Sequence, residues 1–178
     1  MEVAAALGAF AGLAVTASQI YGKLSILSFQ IKFARDQILR VGQDVSGIEA
    51  AINQLTDLLK DKDLPIHSDS QKSSLRLMGN VRTTCQVLFE NIEQSLKKAS
   101  KQIKAKGLSP GVEITLSHSE QALWPFHHAQ VDQMCKELDA VKTTLILVSQ
   151  TTTLSLVKKM SLGYVERQVS RPCSTTQI

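Results

Sequence analysis

Charge is missing where a surface helix would normally carry it. Residues 3–22 contain no charged side chain, and Glu2 and Lys23 are the only charges before Lys32. Aromatic residues are scarce, with five Phe, two Tyr and one Trp, so any core must be built from Leu, Ile, Val and Ala. The three cysteines, Cys85, Cys135 and Cys173, stand at unrelated spacings. That excludes a disulfide framework and fits a reducing compartment. None of Asn53, Asn80 and Asn91 has Ser or Thr two residues on, which leaves no glycosylation acceptor. Neither G-x-x-x-x-G-K nor G-x-G-x-x-G occurs, so the glycine-rich loops that cradle nucleotide phosphates are excluded.

What is present is a helical period. One apolar register recurs at alternating intervals of three and four: Val3, Ala6, Phe10, Leu13, Ala17, Ile20, Leu24, Leu27, Ile31. It continues through Ala34, Ile38, Val41, Val45, Ile48, Ile52, Leu55 and Leu59. This is a coiled-coil-like seam, and nothing in it alternates as a strand would. A break is expected at 31–36, where charges begin and Asp36 could cap the second helix. Helix two is predicted to end near Lys60, before a polar turn over 62–70 that holds Pro65. A third helix is expected through Leu75, Met78, Val81, Cys85, Leu88, Ile92, Leu96, Ala99 and Ile103. A long connection from Lys106 to Pro125 follows, with a short apolar patch at 112–116. The fourth helix carries Val131, Met134, Leu138, Val141, Leu145 and Val148, with continuation to Met160 or Tyr164. The expected fold is therefore all-α. It is a four-helix bundle over 1–160 with a long apolar first helix, and a polar tail over 161–178.

The first segment has two readings. Twenty helical residues would cover roughly 30 Å, about one bilayer core, yet alanine and glycine bury little area. Gly8-x-x-x-Gly12 lies at its centre, and small residues four apart let helices approach closely in lipid. The other reading is a core helix whose alanines admit a near neighbour. A secretory signal is not expected, since Met1-Glu2 offers no positive n-region.

Lys97, Lys98, Lys101, Lys104 and Lys106 form a basic cluster. Such a cluster attracts phosphate on anionic lipid or nucleic acid, or simply solvates the end of a helix. No stacking aromatics interleave with it, so nucleic acid is not an expected partner. His127, His128 and Cys135 are too few and too poorly spaced for a structural zinc. Cys85 lies on the apolar seam as a small buried hydrophobe, and Glu90 and Glu93 fall on the solvent side. No acid–base pair assembles, and neither catalysis, a metal nor a cofactor is expected.

Three stretches together are familiar: the Ala/Gly-rich opening, Val45-Ser-Gly-Ile-Glu-Ala-Ala-Ile-Asn-Gln-Leu55, and Cys85-x-x-Leu88-x-x-x-Ile92-x-x-x-Leu96. With Leu123-Trp124-Pro125-Phe126 leading into the last helix, they make residues 3–156 resemble the fungal HeLo-like N-terminal domain. That family precedes NACHT, ankyrin or WD modules in fungal STAND receptors, and is also known through protein L of the azaphilone pigment cluster. Ala34-Arg35 stands where the family often has Ala-Pro. No receptor module follows in this sequence, which suits a piece of a longer protein, a shortened relative or a stand-alone adaptor. Pro125 is expected to set the first turn of helix four, with its aromatic neighbours plugging the bundle end.

The resemblance implies a non-enzymatic signalling domain of the cell-death or incompatibility type, cytoplasmic and recruited to the plasma membrane. Its partners would be like domains in a homo-oligomer, a NACHT- or ankyrin-bearing receptor, and anionic membrane. Residues 3–22 would be the inserting segment, with Gly8, Phe10, Gly12 and Leu13 as membrane and oligomer contacts. Lys97, Lys98, Lys101, Lys104 and Lys106 would form the lipid-facing patch. A soluble homotypic adaptor, or an accessory protein of a pigment-type gene cluster, are the alternative roles.

Overall fold

The computed structural model describes residues 2–60, 69–105, 117, 120, 121 and 123–169. Four helices account for nearly all of them: α1 (Glu2–Gln30), α2 (Arg35–Leu59), α3 (Asp69–Ala105) and α4 (His128–Val169). Among the described residues there is no strand. The bundle forms because each helix offers one continuous apolar stripe. On α1, Phe10, Leu13, Ala17, Ile20, Leu24 and Leu27 are buried, and on α2 Ile38, Val41, Val45, Ile48, Ile52 and Leu55 meet them. Met78, Val81, Cys85, Leu88, Ile92 and Ala99 of α3 close the core with Val131, Leu138, Val141, Leu145 and Val148 of α4.

The helices form a ring. α1 touches α2 and α3, α4 touches α2 and α3, and the diagonal pairs do not meet among the described residues. The α1–α2 pair is the most intimate, and α3 is held more loosely on both sides. Successive helices reverse direction, so the end of α1, the start of α2, the end of α3 and the start of α4 share one end of the bundle.

Four helix ends differ in detail from expectation. The α1–α2 break does fall within 31–36, but Asp36 is not its cap. Ala34 occupies that position with no side-chain hydrogen bond, and Asp36 lies in the first turn. Packing sets the break instead. Ile31 and Ala34 are buried, and Phe33 stands edge-on to Trp124 with ring centroids 5.7 Å apart. α3 starts at Asp69, within the polar turn expected over 62–70, while residues 61–68 and 106–116 lie outside the described residues. Pro125 sits in a turn before α4 rather than in its first turn. There His127 does the capping: its Nδ1 accepts the Gln130 N–H at 3.2 Å, and its carbonyl accepts from Val131 N–H at 3.0 Å. Trp124 and Phe126, each 1% exposed, do plug the bundle end. α4 runs on to Val169, beyond both ends expected for it, Met160 and Tyr164.

Candidate interaction surfaces

Helical geometry splits the four α1 residues singled out by sequence onto two faces. Phe10 and Leu13 lie on the inner seam at 1% and 5% exposure. Gly8 and Gly12 face outward, and a Cβ added at either would meet nothing within 4 Å. The glycines therefore do not serve close packing inside the bundle. Around them runs an uncharged outer strip: Ala11 is exposed, and Val15 is exposed by 58%. No helix of the described residues is long and apolar enough to cross a membrane, which matches the dilution of α1 by alanine and glycine.

Beside this strip, α1 and α3 stand apart around one clasp. Lys23 Nζ donates to Glu93 Oε1 at 2.8 Å, and this bond holds the Glu93 carboxyl below its ordinary pKa. Glu93 was expected to face solvent; it is half-buried because Lys23, the one cation on this part of α1, reaches it across the groove. A hollow opens on each side of the clasp. One of about 320 Å³ is bordered by Gly12, Thr16, Arg82, Gln86 and Glu90. The other, about 290 Å³, lies between Ile26 and Gln30 on α1 and Lys97 and Ser100 on α3.

Lys97, Lys98, Lys101 and Lys104 are all exposed. The spacing of four and three puts Lys97, Lys101 and Lys104 on one stripe, with Lys98 alongside. None of the four is in an ion pair among the described residues. Lys106 lies outside them. The stripe ends α3 at Ala105, where the helix dipole favours cations.

Sequence reasoning missed a polar seam between α2 and α4. Arg40 donates to Asp132 at 2.9 Å, and His128 meets the other oxygen of that carboxylate at 3.0 Å. Together they hold Asp132 below its ordinary pKa, His128 contributing most. Further along the same seam, Lys142 bridges Asp139 at 2.6 Å and Asp44 at 3.2 Å. These carboxylates raise its pKa, Asp139 first. Only the i,i+4 spacing of His128 and Asp132, and the i,i+3 spacing of Asp139 and Lys142, could have been noticed beforehand.

The buried thiols sit in settings that oppose ionisation. Burial pushes Cys85 up to about 12, and burial followed by the neighbouring Asp44 carboxylate does the same for Cys135. A thiol held that high stays protonated and is a poor nucleophile or metal ligand. Among the described residues no three His, Cys, Asp or Glu side chains gather as a metal site would require. His127 and His128 are exposed while Cys135 is buried, so the three do not converge.

Comparison with protein-family models, with curated proteins and with solved structures found no match. The likeness to the HeLo-like family rests on the sequence pattern set out above.

Proposed function

We propose that this chain is a non-enzymatic signalling domain of the fungal HeLo-like, cell-death or incompatibility type. Its first helix is stored in the bundle and associates with a membrane when copies assemble. The observation that carries this reading is the two-sidedness of α1. An apolar inner seam packs into the core, while an uncharged outer strip leaves Gly8 and Gly12 open to a close neighbour. In lipid, small residues at that spacing let helices pack backbone to backbone.

Storage is the stronger force in the resting state. Phe10, Leu13, Ile20, Leu24 and Leu27 are buried, and at about 2 kcal/mol each their burial contributes on the order of 10 kcal/mol. That rivals the whole stability of a typical domain, about 5–15 kcal/mol. Release of α1 therefore needs assembly and lipid together, supplied through further copies or a NACHT- or ankyrin-bearing receptor.

The test is Gly8→Leu with Gly12→Leu in the full chain. Both positions have room for a side chain, so the bundle should fold. Dye leakage from anionic vesicles should fall severalfold, while partitioning to lipid rises because leucine adds apolar area. Leakage equal to that of the parent would remove the outer strip from the mechanism.

A second reading, a soluble homotypic adaptor, is favoured by the same buried seam and by the absence of any described helix apolar enough to cross a membrane. It predicts self-association without lipid, disrupted by Gly12→Leu, and no leakage at any concentration.

A further inference from the structure

The outward side of α4 carries a second seam. From Thr143 to Val157 no residue is charged. Within that stretch Thr143, Leu147, Gln150, Leu154 and Val157 are all exposed, and they recur at intervals of four and three. This is the spacing of a helix-pairing face, on the opposite side from the buried Val141, Leu145, Val148 and Thr152. Leu147, Leu154 and Val157 are exposed by 55%, 69% and 57%, with Ile146 beside them at 44%. The threonines make this face less polar than its sequence. Thr144, Thr151, Thr152 and Thr153 each donate the hydroxyl to the carbonyl four residues back. Covering the exposed Thr151 and Thr153 therefore leaves no hydroxyl donor unpaired.

Beside the seam, α2 and α4 leave a hollow of about 420 Å³ bordered by Gln54, Ile146, Ser149, Gln150, Thr153 and Leu154. Ser149 is buried, and its hydroxyl has no partner among the described residues. One surface thus offers both a ridge of projecting leucines and a recess next to it, with the Gln54 and Gln150 amides at the edge.

We infer that the outer seam of α4 pairs with the same seam on a second copy of this chain, in the folded state and without lipid. In a two-fold pair the same patch stands on both sides, so the ridge of each copy enters the recess of the other. Charge selects this occupant. An acidic or basic partner would find no counter-charge along 143–157, and its own charges would lose water without compensation. A second copy brings an equally uncharged stretch. Its Gln150 and Gln54 carry both donors and acceptors and pair with their counterparts, as a polar residue does within a helix pair.

Area sets the strength. From 143 to 157 the seam is about 21 Å long and about 10 Å wide, on the order of 200 Å². A standard interface takes about 800 Å² per partner. The pair is therefore weak: the chain is a monomer when dilute and a dimer when copies are crowded, as a receptor that gathers them would do. The inference rests on the proposed function only for that trigger. The seam is separate from Gly8 and Gly12, since α1 and α4 do not touch among the described residues.

The experiment is sedimentation equilibrium of the full chain without lipid, from about 1 μM to about 1 mM, the range of small interfaces. A monomer–dimer equilibrium is expected, equal at about 0.15 M and about 1 M salt because no charge pair holds it. Leu147→Lys with Leu154→Lys should raise the dissociation constant at least about thirtyfold. Both positions are exposed, so an unchanged urea midpoint by circular dichroism should accompany that loss. Gly8→Leu with Gly12→Leu should leave pairing as it is. A short bis-maleimide should join copies carrying Gln150→Cys far faster than copies carrying Gln94→Cys, exposed on α3, both in a chain with Cys173→Ser. A monomer at every concentration, a dimer lost at about 1 M salt, or equal cross-linking at 150 and 94 overturns the inference. So does pairing that survives the α4 lysines and is lost with the α1 leucines, which would leave self-association through α1 standing. Pairing through α4 with no leakage from vesicles would sink the release of α1 and leave this interface intact.

Discussion

At the scale of single residues, burial follows the heptad register closely enough to be tested by charge. Ile52 and Leu88 are at 0% and 4% exposure, and an aspartate at either would be a buried charge without a partner, which costs several kcal/mol. Ile52→Asp and Leu88→Asp should each abolish cooperative unfolding, seen by circular dichroism in urea. A parent-like midpoint for either would mean the seam is misplaced. The glycines of α2 test packing in the other direction. A Cβ at Gly42 would lie 3.6 Å from the Tyr21 ring and 3.8 Å from Leu24 Cβ, ordinary contacts. Gly42→Ala should therefore stabilise by up to about 1 kcal/mol through helix propensity. At Gly47 the added atom comes to 3.3 Å from Lys142 Cδ, and Gly47→Ala should gain less because the lysine must shift within its two carboxylate contacts. Which residues are buried was readable from spacing. Which polar residues meet across helices was not: the Lys23–Glu93, Arg40–Asp132 and Asp44–Lys142 pairs join positions far apart in sequence, and no local period encodes them.

At the scale of elements, the four helices were readable because apolar period dominates each of them. The caps were not. Asp36 has the chemistry of a cap, but the inward packing of Phe33 and Ala34 decided where the chain turns. Just after the Leu123-Trp124-Pro125-Phe126 motif, it is the ring of His127 that accepts the Gln130 N–H in the first turn of α4. The two faces of α1 were half-readable: the inner seam is plain in the sequence, whereas the openness of Gly8 and Gly12 needed the positions of α2 and α3.

The clasps between elements carry a pH dependence. Glu93 and Asp132 have lowered pKa values, so their stabilising effect is present above the ordinary carboxylate range and lost as pH falls through the lowered values. Lys142 has a raised pKa, so its effect is full below the ordinary lysine value of 10.5 and lost as pH rises through the raised one. Denaturation midpoints should therefore be flat near neutrality and fall at both extremes. Lys23→Ala should cost no more than about 1 kcal/mol, as for other partly exposed pairs, and should flatten part of the acid limb. A larger loss would show that the α1–α3 groove depends on this clasp.

At the scale of the whole molecule, the proposed function requires α1 to leave the bundle. Removing residues 1–22 cannot test this, because Phe10, Leu13, Ala17 and Ile20 belong to the core, and that deletion should unfold the bundle. A reversible lock can. A Cβ at Gly42 lies 3.8 Å from Leu24 Cβ, the typical Cβ separation of a disulfide, about 3.8 Å. Leu24→Cys with Gly42→Cys, in a chain with Cys173→Ser, should therefore tie α1 to α2 on oxidation. Cys85 and Cys135, buried with pKa values near 12, should not compete. The most direct measurement is dye release from phosphatidylserine-containing vesicles by this variant before and after reduction. The oxidised protein should release no dye, and reduction should restore release. Equal release by the locked and unlocked forms, or none from the parent chain, would contradict the claim that α1 is stored in the bundle and acts by leaving it.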